Sequence, residues 1–133
     1  MPILYDGVIS LIEKLRSSNY ETYLWTGRDQ YSAQKILSFY KIDHLFKEMH
    51  FRDTATPKPS PDALGLMLNQ VDKSNAVLIG DSVVDIMGAT NFGISCLVVD
   101  WMNKANHKEL LKAGARQVFS KPNDVFKWIE SEL

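Results

Sequence analysis

Two carboxylates, Asp81 and Asp85, stand four residues apart in VLIGDSVVDIMGATNFG, residues 77–93. Four apolar residues (76–79) lead into Gly80 and Asp81, after which Val84, Met87, Ala89 and Phe92 recur at helical spacing. This pattern predicts a buried strand, a tight turn and a helix. Asp81 then sits at the carboxyl end of a strand and Asp85 in the first turn of the helix, so both acids can face one pocket. Acids that close repel one another unless a cation or a helix amino end offsets the charge. A hard divalent ion, Mg²⁺ above all, would do so. The same residues also read as a plain helix cap (Asp81) and a favourable first-turn charge (Asp85).

Three further residues extend the chemistry. Thr26 ends an apolar strand candidate, and Gly27 and Arg28 follow with backbone N–H groups that can approach an anion, since Gly27 has no side chain. Lys58 lies in RDTATPKPSP, where closely spaced prolines stiffen the loop and forbid regular structure. Beyond the carboxyl ends of an open parallel sheet, a hydroxyl, a fixed cation and an acid pair describe a phosphate site. Taken singly, each is ordinary: a threonine spacer, a solvated lysine.

The elements that must position these groups alternate. Residues 1–5 are short and apolar. A first helix is expected over residues 7–17, a strand in TYLWT, and a second helix over residues 29–40 with Asp29 as its N-cap. A helical turn at residues 44–46 and a short strand at 49–51 precede the proline loop. A third helix starts at Pro61-Asp62 and runs through DALGLMLNQV. After residues 77–93 come a strand at 95–99, a helix in NHKELLKAG stopped by Gly114, a strand at 117–119 and a last helix over 123–131. Alternation of this kind gives one α/β domain, residues 1–133, with a parallel sheet covered on both faces.

With 133 residues the chain can bury a full core. Its formal net charge of −1 argues against a nucleic-acid surface or a polybasic membrane face. No apolar run reaches membrane-span length and the start lacks a signal-peptide pattern, which makes the cytoplasm the expected location. Cys96, the single cysteine, lies in an apolar run and reads as packed and inert. His44, His50 and His107 are too scattered for a metal triad. Trp25 and Trp128 read as core, and Trp101, just past a strand end, as a residue at the pocket mouth.

The ordered segments WTGRD, KPSPD and GDSVVD resemble the second, third and fourth motifs of the haloacid dehalogenase-like hydrolase superfamily, particularly its phosphoglycolate-phosphatase-like members. The similarity runs from LYDGVISLIEKL to KELLKAGARQVFSKPNDVFKWI, nearly the whole chain. The resemblance implies a Rossmann-like three-layer sandwich and Mg²⁺-dependent phosphoryl transfer through an aspartyl-phosphate, on a small phosphate monoester. It implies that Thr26, with Gly27 and Arg28 beside it, hydrogen-bonds the phosphoryl group and that Lys58 neutralises its charge. Asp81 would bind Mg²⁺ directly, Asp85 would support the metal, often through water, and Ser82 would contribute at the same turn.

The family's first motif, two aspartates two residues apart that serve as nucleophile and general acid/base, has no counterpart in this sequence. Asp6 is the one candidate by position, but Val8 stands where the second acid would be, and the segment fits the family's re-entry from its cap better. The expectation is therefore a core without its mid-sheet nucleophile strand and without a cap, leaving the strands that end at Thr26 and Ile79 either paired directly or open-edged. Three readings follow. The chain is a phosphatase core inactive alone, completed by an upstream segment or second polypeptide; or a non-catalytic relative that binds a phosphate or a protein; or a homodimer-forming module.

Overall fold

The computed structural model describes residues 5–133; the apolar start at residues 1–4 lies outside the described residues. In chain order the elements are α1 (Val8–Ser17), β1 (Leu24–Trp25), α2 (Gln30–Tyr40), β2 (Met49–His50), α3 (Asp62–Met67), β3 (Val77–Gly80), α4 (Val83–Phe92), β4 (Ser95–Val99), α5 (His107–Lys112), β5 (Gln117–Phe119) and α6 (Pro122–Glu132). Single 3-10 turns occupy Asp43–Leu45 and Lys73–Asn75. The alternation expected from the sequence is present throughout, and every strand pair is parallel.

Local chemistry explains most boundaries. The Asp29 carboxylate accepts the Ser32 N–H and starts α2. Gly93 closes α4 with φ 98°, a left-handed value that a side chain would strain. Two elements are shorter than their apolar runs. β1 keeps only Leu24 and Trp25 of TYLWT because β2, its one ladder partner among the described residues, is itself two residues long. α3 stops at Met67, its hydrogen bonding ending at Leu68, with Gly65 weakening its middle.

Helices cover both faces. On one side Ala63, Leu64 and Met67 of α3 and Ile86 and Ala89 of α4 pack with Cys96 and Val98 of β4, and Trp25 of β1 and Tyr23 just before it join them. On the other, Leu11 and Leu15 of α1 meet Leu97, Val125 and Ile129. α1 also turns Ile9 and Ile12 to a smaller cluster around Leu37 of α2 and Leu45, which holds Leu24 of β1. The result is a three-layer α/β sandwich. Ile86, Leu97, Val98 and Val125 are fully buried, each worth about 1.5–3 kcal/mol of transfer free energy.

The sheet is in two pieces, β1-β2 and β3-β4-β5. Among the described residues β1 and β3 do not pair, so of the two arrangements expected, direct pairing or open edges, these residues show the open-edged one. β1 reaches β2 through the Leu24 and Thr26 amides, so alternation turns the backbone groups of Tyr23 and Trp25 to the opposite, inner edge. β3 likewise spends one edge on β4. Ile79, which full flanking by neighbours would bury, is 37% exposed. α1 on one face and the Trp25 contacts on the other hold the two pieces in one body.

Candidate functional site

The carboxyl ends of β1 and β3 meet at a lysine. Lys58 reaches back from the proline loop, its ammonium 2.6 Å from Asp85 Oδ1 and 3.2 Å from the Trp25 carbonyl oxygen. Its side chain is only 17% exposed and that of Asp85 only 7%. A screened pair of this kind is costly to break, because either partner alone would be an uncompensated buried charge.

Asp85 is the most heavily bonded acid of the site. Its Oδ2 accepts the Asp81 N–H at 2.9 Å and the Ser82 hydroxyl at 3.2 Å, while Oδ1 takes Lys58. Burial alone would push this carboxyl up. The Lys58 ammonium, the Asp81 amide and the Ser82 hydroxyl outweigh burial and hold it below the ordinary aspartate range. No room exists for a side chain opposite it: a Cβ on Gly80 would stand 2.5 Å from the Asp85 Cβ.

Asp81 is the converse. It is exposed, and its carboxyl is pushed above the ordinary range, first by partial burial, then by the charge of Asp85 and a side-chain hydrogen bond with it. A cation beside Asp81 would relieve both effects. The reading of Asp81 as a helix cap does not hold: Ser82 caps α4, its hydroxyl accepting the Asp85 N–H at 3.4 Å. Asp85 lies in the first turn, as expected, but is tied to Lys58 rather than left as a simple end charge.

Thr26 follows Trp25 at the end of β1. Its hydroxyl oxygen accepts the Arg28 N–H at 3.1 Å, which leaves the O–H free to donate and removes the Arg28 amide from the set available to an anion. Gly27 is exposed, and a Cβ there would meet nothing within 4 Å. Asp6 stands elsewhere, in a surface hollow with Gly7, Lys14 and Lys121 between the amino ends of α1 and α6.

Two residues of the site escaped the sequence reading. Trp25, taken as core, lies with its ring centroid 4.8 Å from the Lys58 ammonium. Gly88, one turn after Asp85, makes room for that ring: a Cβ there would come within 2.7 Å of Trp25 Cη2. A small residue on the same helix face as Asp85 was the available signal. Trp101, expected at the pocket mouth, packs instead into the α1/α6 core. Cys96 is buried, its thiol pushed up to about 12 by burial. His107 pairs with Asp100, and His50 bridges Glu48 and Thr54. Among the described residues no three His, Cys, Asp or Glu side chains cluster to hold a metal, and no helix is long and apolar enough to cross a membrane.

The family described as haloacid dehalogenase-like hydrolase matches residues 1–99. Among curated proteins, pyrophosphatase PpaX of Halalkalibacterium halodurans is 26% identical over 100 residues, 73% of this chain and 46% of that protein. Pyrophosphatase PpaX of Bacillus cereus is 27% identical over 103 residues, 75% of this chain and 48% of that one. The chain thus spans about half the length of the curated relatives it matches. A crystal structure assigned as a beta-phosphoglucomutase from Thermotoga maritima superposes with a TM-score of 0.85 at 26% identity, covering 97% of this chain and 61% of that one. One assigned as a phosphoglycolate phosphatase from Lactobacillus delbrueckii gives 0.83 at 21% identity, covering 94% and 53%.

Proposed function

The chain belongs to the haloacid dehalogenase-like hydrolases, and from that premise we propose that it carries the phosphate- and metal-binding part of a cytoplasmic, Mg²⁺-dependent phosphatase for a small phosphate monoester. One observation supports this most: the Lys58 ammonium is held in a screened ion pair at the strand end where Thr26 keeps a free O–H and Asp81 an exposed carboxylate. Lys58 neutralises the charge of a bound phosphoryl group and Thr26 donates to one of its oxygens, with Gly27 leaving the approach open.

Mg²⁺ suits the donor set. Asp81 offers a hard oxygen ligand whose raised proton affinity marks a place that favours a cation. Asp81 would hold the ion and Asp85 would support it through water, because both Asp85 oxygens already accept hydrogen bonds. When bound, the ion supplies charge neutralisation at the transferring group.

In this reading the attacking carboxylate is carried by an extended segment outside these 133 residues, upstream or on a second polypeptide, which adds a parallel strand between β1 and β3. Among the described residues the inner edges of β1 and β3 share no ladder, and this and the exposure of Ile79 support that role. The chain alone then binds phosphate without turning over substrate. Phosphate release from a chromogenic phosphate ester and, following the relatives' name, from pyrophosphate, measured with Mg²⁺, tests this. Turnover by the chain alone that disappears in Asp81→Asn would overturn the need for an added strand. An in-frame Asp-x-Asp segment in the coding DNA upstream of Met1 would support it. The open edges also favour a second reading, a homodimer in which a copy of the chain fills the gap, with phosphate or protein binding rather than catalysis as its role. A monomer by light scattering at micromolar concentration would remove that reading.

A further inference from the structure

Trp25 stands at the meeting point of three elements. It ends β1, its carbonyl accepts from the Lys58 ammonium at 3.2 Å, and its ring faces the same ammonium with the centroid 4.8 Å away. The far edge of that ring is seated on α4 at Gly88, so closely that a single methyl there would stand 2.7 Å from Cη2 and 3.0 Å from Cζ3. Gly88 lies three residues after Asp85, so one face of α4 presents the carboxylate to Lys58 and the vacancy to Trp25.

The ammonium is therefore held from two sides. Asp85 pulls it toward α4 through a 2.6 Å ion pair. The carbonyl and π face of Trp25 hold it toward the end of β1, where Thr26 follows. An aliphatic side chain of similar bulk would fill the space but offer no quadrupole to the cation, leaving Asp85 as its main electrostatic partner. We propose that Trp25, seated on Gly88, is a positioning residue that keeps the Lys58 ammonium aimed at the anion subsite beside Thr26 instead of collapsed onto Asp85. This rests on the reading of Lys58 as the phosphate cation.

The experiment is calorimetric titration of inorganic phosphate, with Mg²⁺ present, into the wild-type chain and the variants Trp25→Phe, Trp25→Leu and Trp25→Leu/Gly88→Ala, alongside NMR of the Lys58 Hε protons. The wild-type Hε resonances are expected upfield of ordinary lysine from the ring current. Trp25→Phe retains part of that shift and binds phosphate within about two-fold of wild type. Trp25→Leu loses the shift and binds about five-fold more weakly, in line with the loss of a partly solvated cation–π contact. In the double variant the added methyl refills part of the space, so thermal stability recovers relative to Trp25→Leu while phosphate affinity does not. Were Trp25 only a packing residue, the double variant would recover both, and that result overturns the proposal. So would Lys58 Hε resonances at ordinary lysine positions in the wild type. A wild-type chain that shows the ring-current shift but binds no phosphate would leave Lys58 held by Trp25 and overturn both the reading of Lys58 as the phosphate cation and the aiming role that depends on it.

Discussion

Lys58 and Asp85, 27 residues apart in sequence, form a 2.6 Å ion pair that ties the proline loop to the first turn of α4. The Trp25 carbonyl, the Lys58 ammonium, the Asp85 carboxylate and the Asp81 amide follow one another through hydrogen bonds of 3.2, 2.6 and 2.9 Å. The ends of two strands that share no ladder are thereby held at a fixed spacing.

Removing one member of the pair should cost more than removing both. Asp85→Asn and Lys58→Met are each expected to destabilise the fold by about 2–3 kcal/mol, since each strands a largely buried partner. The double variant should lose less than the sum. Urea unfolding of the three proteins gives the coupling directly.

Asp81 should trade stability for binding. Its carboxyl is pushed up in the folded state by burial and by Asp85, so the protonated form is the one folding favours. That contribution is full below the unfolded-state pKa of about 3.9 and is lost as pH rises through the higher folded value. At neutral pH the ionised group therefore works against the fold. Asp81→Asn is expected to melt above wild type at pH 7, the difference shrinking toward pH 4. Mg²⁺ should raise the wild-type melting temperature and leave that of the variant unchanged.

Gly80, beside the acid pair, should reject even a methyl group, whereas Gly27 should accept one. Gly80→Ala drives a Cβ into Asp85, 2.5 Å from its Cβ, and is expected to cost about 1–3 kcal/mol. Gly27→Ala meets no atom within 4 Å and should leave the melting temperature near wild type. A thermal melt of each separates the two cases.

Cys96 should be silent to thiol reagents. Buried in the core cluster that also holds Ile86 and Leu64, its thiol pushed up to about 12, it presents almost no thiolate at pH 8. An aromatic disulfide reagent should find no reactive thiol in the native chain and one after denaturation in guanidinium chloride.

The alternation of strands and helices was legible in the sequence because burial imposes short-range periods: Leu11 and Leu15, or Ile86 and Ala89, fall on one helix face wherever the chain goes. Asp29 as a cap was legible for the same local reason. The pairing of Asp85 with Lys58 was not, since it depends on a loop folding back over 27 residues. Nor was the role of Trp25, whose ring answers to a lysine 33 residues away and a glycine 63 away. Ser82 displaced Asp81 as the α4 cap because α4 begins at Val83 and the Ser82 hydroxyl accepts the Asp85 N–H. The brevity of β1 and β2 also lay beyond local pattern, because strand length is set by the neighbour and not by the run of β-forming residues.

The divided sheet has a consequence for amide hydrogen exchange. In a continuous parallel sheet the middle strands exchange most slowly, because water reaches neither of their edges. In this chain the deepest protection is expected on β4, paired on both sides and carrying the buried Cys96, Leu97 and Val98. The amides of Tyr23 and Trp25 point into the gap. A strand that entered would slow those two amides and bury Ile79, so exchange at the centre of the sheet reads out its occupancy without any label or enzymatic assay.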